Sequence, residues 1–335
     1  MKRLSAFFVL LFCAMLVMGQ DSKKVLFIGN SYTEANNLPL IISNIAQSMG
    51  HQLEFDSNTP GGCTFRGHCS NESMDKIRQG GWDFVVLQEQ SQTPSFPQRQ
   101  VESECFPYAE TLVNAIRTYN PQAVPMFYMT WGHKYGDPHN AESFPVLGTY
   151  EGMDSMIYER YMYMGQTNNA PVCPVGRVWR YLRNNNPEME LYQSDNSHPS
   201  KAGSYAAACA FYTMIFEEDP MSITYNYELN AQDADIIRQA VHEVVWNNLS
   251  FWQLAGASGI SVPGEITLSA YPNPVRDKLY IECNIPDVKM VMMDPMGCMI
   301  PLLSHELNTE SWAAGIYMIK AYSETQFATI KILKL

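Results

Sequence analysis

A serine, a histidine and an aspartate in this chain are spaced so that they could carry out acyl transfer. The apolar run Val25-Leu26-Phe27-Ile28 stops abruptly at Gly29-Asn30-Ser31-Tyr32-Thr33. A buried strand thus delivers Ser31 to a tight turn, and residues 38–49 read as the helix that follows. This order presents a hydroxyl at the rim of an α/β sheet, with backbone N–H groups beside it. Far downstream, Asp195-Asn196-Ser197-His198-Pro199 stands at the entry to another helix. An aspartate three residues before a histidine can hold one imidazole nitrogen while the other takes a proton from a hydroxyl. Each piece alone has a plainer reading, because serine and aspartate are also ordinary helix caps. Found at both ends of one α/β unit, the two pieces favour the catalytic reading.

The elements that must position these residues alternate along the chain. Strands read at 25–28, 52–56, 84–87, 123–129 and 172–174, and helices at 38–49, 74–79, 101–119, 150–163 and 201–216. A further helix over 231–247 carries Ile236, Ile237, Val241, Val244 and Val245 and should pack on the outside. Such alternation predicts a mostly parallel sheet covered on both faces. Ligands of such sheets bind beyond the carboxyl ends of the strands, where Ser31, Gly62 and Gln88 would fall.

Composition narrows the function classes. The chain has 335 residues, 46% hydrophobic and 17% charged, which suits one sizeable domain plus a smaller one. It opens with Lys2 and Arg3, an apolar stretch over 4–17 and then Met18-Gly19-Gln20, the pattern of a secretory signal peptide over 1–19. That stretch falls short of the roughly 20 residues a spanning helix needs, and no other segment reaches it. Phe12 before Cys13 is too bulky for a lipoprotein processing site. Net charge is −12, and loss of Lys2 and Arg3 with the signal lowers it to −14. Nucleic acid and anionic membranes are therefore poor partners.

Seven cysteines follow the signal: Cys63, Cys69, Cys105, Cys173, Cys209, Cys283 and Cys298. Their odd number leaves at least one without an internal partner. Bonding of Cys63 with Cys69, or of either with Cys105, would brace the loop near Ser31. No C-x-x-C spacing supports zinc, and His133, Asp137 and His139 lack a firm ligand spacing, so neither metal nor cofactor is expected.

Three blocks taken in combination resemble the SGNH (GDSL-type) hydrolase family: G-N-S-Y-T at the first strand, Gly61-Gly62 after the second, and D-x-x-H before the last helix. The resemblance spans about residues 24–217. Two departures stand out. The usual G-D-S is G-N-S here, and the usual G-x-N-D is replaced by Leu87-Gln88-Glu89-Gln90-Ser91. The latter is similar to the Q-G-E-S pattern of carbohydrate-esterase branches and to a branch with L-Q-E-x-S. The resemblance implies a flavodoxin-like three-layer α/β/α sandwich over 24–254. It implies Ser31 as nucleophile, His198 as base and Asp195 as its orienting group. The oxyanion donors would be the N–H groups of Ser31 and Gly62 and the amide of Gln88, with Gln90 competing for the amide role. His68 and Trp131 could touch an acyl or sugar group, although a surface loop residue and a packing tryptophan are the plainer readings.

Composition changes at Ala255-Gly256-Ala257-Ser258-Gly259, which opens a small-residue linker over 255–264. Short alternating segments at 266–271, 278–283, 289–293, 315–321 and 326–333 then predict a small β-sandwich over 265–335. Tyr271-Pro272-Asn273-Pro274, Asp294-Pro295-Met296-Gly297, Gly315-Ile316-Tyr317 and the terminal Lys331-Ile332-Leu333-Lys334-Leu335 resemble the C-terminal sorting domain of the type IX secretion system. That resemblance implies export across an outer membrane in a Bacteroidetes-like bacterium, with the secretion machinery as partner.

The expectation is an exported serine esterase acting on O-acyl, most simply O-acetyl, esters of carbohydrates, whether small molecules or polysaccharides. Two rivals are a lipid-directed esterase or lysophospholipase and a catalytically silent glycan-binding surface protein.

Overall fold

A computed structural model describes residues 21–253, 266, 268–283, 288–295, 298–322 and 327–335. The expected signal peptide (1–19) lies outside these residues, as does the whole of the expected linker (255–264). Five strands form the central sheet: β1 (Ser22–Ile28), β2 (Gln52–Asn58), β3 (Phe84–Leu87), β4 (Val124–Tyr128) and β5 (Val172–Cys173). Their order is β2-β1-β3-β4-β5 and every pairing is parallel. Val25 to Ile28 are fully buried, as expected for a central strand covered on both faces.

The helices are α1 (Ser31–Glu34), α2 (Leu38–Ser48), α3 (Phe65–His68), α4 (Glu72–Gln79), α5 (Gln98–Glu104), α6 (Phe106–Tyr119), α7 (Pro138–Ala141), α8 (Tyr150–Thr167), α9 (Val175–Asn185), α10 (Lys201–Phe216), α11 (Ala231–Val244) and α12 (Leu249–Trp252). α10 packs against α2, α9 and α11, while α4 packs against α6, so the sheet is sandwiched between two helical layers. The result is a flavodoxin-like three-layer α/β/α fold. After β1 the chain runs outward to β2 and returns to β3, so β1 and β3 flank the point where strand order reverses. Ile28 pairs with Leu87, which places the residues after both strands side by side at that point.

Three differences from the sequence reading have local causes. The helix expected over 101–119 is two helices broken at Cys105. Cys105 departs from helical backbone (φ −121°, ψ −64°), and Pro107, which has no N–H to donate, stands in the first turn of the second helix, where none is needed. The sequence reading gives no helix at 175–185, because Arg177 and Arg180 interrupt its apolar stripe. Both arginines are buried in α9 against the equally buried Asp154 of α8. The cysteines named above are all free thiols, so no disulfide braces the Ser31 region.

The C-terminal segment builds two antiparallel sheets. Its strands are β6 (Leu268–Tyr271), β7 (Lys278–Cys283), β8 (Lys289–Met293), β9 (Met299–Leu302), β10 (Glu306–Asn308), β11 (Gly315–Tyr322) and β12 (Phe327–Lys334). The sheet orders are β10-β7-β6 and β12-β11-β8-β9. Alternation along β11 gives it two apolar faces. Tyr317, Ile319 and Ala321 enter the core of the sandwich, whereas Met318 joins Met293 in the core of the α/β domain. The contact is supported by Tyr158 Oη donating to Met293 Sδ at 2.7 Å, Gln166 donating to Thr329 Oγ1 at 2.8 Å, and a Lys331–Glu159 ion pair. Lys320, on the same strand, donates to the Ser250 carbonyl of α12 and lies near the rings of Phe251, Tyr322 and Phe327.

Candidate active site

The turn after β1 is fixed before any partner reaches it. Asn30 caps α1, its Oδ1 accepting from Tyr32 N–H at 3.1 Å while its carbonyl accepts from the N–H groups of Thr33 and Glu34. Ser31 is left half-buried at the rim. Among the described residues, neither the Ser31 N–H nor the Gly62 N–H donates to another protein group.

The second half of the site is a self-closed turn. Asp195 Oδ1 accepts from the N–H groups of Ser197 and His198, each at 3.0 Å. Asn196 takes a left-handed conformation (φ 61°), which asparagine tolerates better than most residues. Gln193 N–H donates to the His198 carbonyl at 2.8 Å and shuts the loop. Asp195 Oδ2 is then 2.5 Å from His198 Nδ1, and His198 Nε2 is 2.8 Å from Ser31 Oγ. Residues separated by 167 positions therefore meet in one hydrogen-bonded line. Partial burial pushes the Asp195 carboxyl up, but the bonds from His198 and the two N–H groups prevail and hold it below the usual carboxylate range. It stays ionised at neutral pH and suits a protonated imidazole.

Residues not singled out in the sequence bind the two halves together. Asn36 Nδ2 donates to the carbonyls of Pro199 and Ser200 and to Ser204 Oγ, at 2.8–3.1 Å. Tyr32 Oη lies 2.6 Å from Ser197 Oγ, and its ring meets that of His198 edge to face at 5.2 Å. Burial pushes the Tyr32 phenol up to about 12, so it keeps its proton. The Asn36-Asn37 pair was the available signal, since both take left-handed backbone that marks a constrained loop.

Three expected side chains lie elsewhere. Trp131 is fully buried and offers no face to a sugar ring. Its ring is stacked between Tyr32 at 4.9 Å and Trp179 at 3.7 Å, and its Nε1–H donates to the Ser197 carbonyl at 3.1 Å. It supports the histidine loop from behind. His68 is likewise fully buried, with Nε2 2.9 Å from the Gly29 carbonyl and Nδ1 2.8 Å from Ser73 Oγ. Burial lowers its pKa, so it is a neutral strut under β1 in place of a substrate contact. Gln88 is also fully buried; its Oε1 accepts from Asn30 N–H and Thr33 Oγ1, each at 2.9 Å, and its Nε2 donates to the Glu89 carbonyl. Its amide is therefore buried beneath the turn and is not presented at the surface as the expected oxyanion donor. The Gln90 side chain is held within its own loop, its Nε2 donating to Ser91 Oγ and Gln92 Oε1, each at 3.3 Å, and its Oε1 accepting from the N–H groups of Gln92 and Thr93 and from Thr93 Oγ1.

Gly62 lies on an exposed turn in the left-handed region (φ 68°), which a residue without Cβ adopts freely. The loop that carries it is tied to the serine turn by Asn30 Nδ2, which donates to the Cys63 carbonyl at 3.0 Å. Among the described residues no group of histidine, cysteine or acidic side chains is arranged to hold a metal ion, and no helix is long and apolar enough to cross a membrane.

With this geometry in place, comparison with known proteins adds two findings. Residues 269–334 match the family described as a secretion system C-terminal sorting domain, which indicates export to the cell surface or secretion. The α/β domain shares its fold with a DUF4886 family protein from Bacteroides uniformis, with a TM-score of 0.58 at 16% identity over 69% of this chain and 96% of that one. A structure named as a candidate SGNH hydrolase from Slackia heliotrinireducens is similar at 25% identity, with a TM-score of 0.47 over 57% and 98% of the two chains. A family 3 carbohydrate esterase from Clostridium thermocellum is similar at 12% identity, with a TM-score of 0.39 over 58% and 94%. No curated protein sequence matches the chain.

Proposed function

We propose that the chain is an exported serine esterase that hydrolyses O-acyl esters, preferring O-acetyl groups on carbohydrates. One observation carries the reading: Ser31 Oγ lies 2.8 Å from His198 Nε2, whose Nδ1 is held by Asp195. In the reaction, Ser31 Oγ attacks the ester carbonyl as His198 Nε2 takes its proton. Collapse of the tetrahedral intermediate breaks the bond to the alcohol, which leaves with the proton from His198. Water, deprotonated by the same imidazole, then releases the acyl group and restores Ser31. The N–H groups of Ser31 and Gly62 would receive the negative oxygen, and each such donor contributes about 2.7–4 kcal/mol in well-studied sites.

A carbohydrate rather than a lipid substrate is favoured by the polar surroundings. The cleft beside the serine turn, about 360 Å³, is lined by Thr33, Glu34, Asn37, Pro39, Ser57 and Thr59. Hydroxyl, amide and carboxylate groups suit a sugar, and Pro39 is the one apolar residue in this lining to meet a long acyl chain.

The test is hydrolysis of short and long p-nitrophenyl esters and of acetylated polysaccharides by the mature protein, beside Ser31→Ala. Wild type should release acetate, and the variant should lose about 10³-fold or more in turnover. Equal rates for the two proteins would remove Ser31 as nucleophile. Turnover confined to long chains would favour the lipid reading, and none on any ester would favour the silent glycan binder.

A further inference from the structure

Glu89 is a fully buried carboxyl group that the proposed reaction does not use. Its charge disfavours ionisation of Cys63, Cys69, Cys105 and Tyr161, Cys105 also bonds to it, and none of these groups is cationic. An acid in such a place is destabilising, so its presence calls for a compensating role. Its oxygens have definite partners. Both face the Phe65 N–H at 3.1 Å, and Oε1 also accepts from the Gln90 N–H at 2.6 Å. Its own N–H donates to Tyr161 Oη at 3.1 Å. Phe65 opens α3, directly after the loop that carries Gly61 and Gly62.

The neighbouring Gln88 grips the other half of the site. Its backbone N–H donates to the Ile28 carbonyl at 2.9 Å, continuing the β1–β3 pairing, and its side chain holds Asn30 and Thr33. Consecutive residues thus reach in two directions, Gln88 to the serine turn and Glu89 to the glycine loop. His68 closes the frame from the far end of α3 by bonding to the Gly29 carbonyl. We propose that Gln88-Glu89 is a two-pronged clamp that sets the spacing between Ser31 and the Gly62 N–H, making Glu89 a positioning residue for the oxyanion site.

The proposal rests on the esterase reading for its catalytic meaning, but the clamp itself can be tested separately. Burial pushes the Glu89 carboxyl up to about 8, while the N–H bonds from Gln90 and Phe65 pull it down. The grip on α3 should therefore change as pH passes that value. The experiment measures hydrogen–deuterium exchange of the peptide over 59–68 in the full chain, for wild type, Glu89→Ala and Glu89→Gln. Glu89→Ala should raise exchange there by about tenfold or more and leave the peptide over 201–216 unchanged. Its kcat on p-nitrophenyl acetate should fall about 10–100-fold with KM within about twofold, since misplacement of reacting groups acts mainly on kcat. Glu89→Gln, an uncharged isostere, should keep most of the wild-type kcat and lack the wild-type pH break near 8.

Unchanged exchange in Glu89→Ala, or a retained pH break in Glu89→Gln, overturns the clamp. If Glu89→Ala does not fold, the exchange pattern and pH profile of Glu89→Gln decide. A wild type that hydrolyses no ester removes the esterase reading, and the exchange arm then still decides whether Glu89 holds the loop.

Discussion

At the serine end of the sheet, buried Gln88, Glu89 and His68 each meet backbone or hydroxyl partners along defined directions. Where the sorting domain docks, Lys320 is equally buried, yet it donates to one carbonyl and is otherwise surrounded by aromatic rings. Around it the contact is made by Met293, Met318, Val291, Met299 and Phe327. Hydrogen bonds fix position because they are directional. Apolar burial supplies attraction without direction, and methionine adapts to irregular surfaces. The serine end is therefore built for placement and the docking surface for adhesion. A change at the first should alter turnover, and a change at the second should alter cohesion.

The strongest attack on that contrast is Asp195→Asn. Asp195 is exposed, so its loss should leave the melting temperature nearly unchanged while kcat falls about 10²–10⁴-fold, because the imidazole loses its tautomer control. Retained turnover would mean that the line of three side chains is not the working unit. Met293→Ala probes the other surface. It should cost about 2–5 kcal/mol by urea unfolding and leave kcat within about twofold. A matching loss of turnover would show that the two regions are coupled.

Gly29→Ala should affect both stability and turnover at the serine end. A Cβ at that position would lie 2.5 Å from Thr33 Oγ1 and 2.6 Å from Gln88 Oε1. Overpacking of that kind costs about 1–3 kcal/mol. Displacement of Gln88 should lower kcat as well, which steady-state kinetics would detect.

The smallest effect on turnover is expected from Lys320→Met, read in a pH series. Burial lowers the Lys320 pKa from 10.5 to about 7 in the docked form. The undocked form then binds more protons between those values, so docking weakens as pH falls from about 10.5 to about 7. The slope cannot exceed about 1.4 kcal/mol per pH unit for one proton. The methionine variant should flatten it, as followed by the thermal stability of the full chain. An unchanged slope would shift the effect to another group.

What could be read from the sequence follows from what periodicity encodes. The short Val25–Ile28 run, bounded by Gly29, reads as a central strand, and the three-residue spacing of Asp195 and His198 fits a single turn. A position just beyond a strand end is different. Sequence places Gln88, His68 and Trp131 near the rim, but it does not say whether a loop side chain turns toward solvent or under the neighbouring strand. All three turn under. In α9, Arg177 and Arg180 conceal an interior helix because their charge is matched by Asp154, a residue more than 20 positions away.

His198 and Asp195 occupy one closed turn, and that turn is fastened to the Ser31 loop by Asn36 and to the aromatic stack by Trp131 Nε1. They consequently travel as a unit. A displacement of this segment would carry the imidazole away from the alcohol with its acidic companion still attached. On the proposed esterase reading, competence would be governed by hooks that never meet the substrate, and loosening one should switch the pair off together.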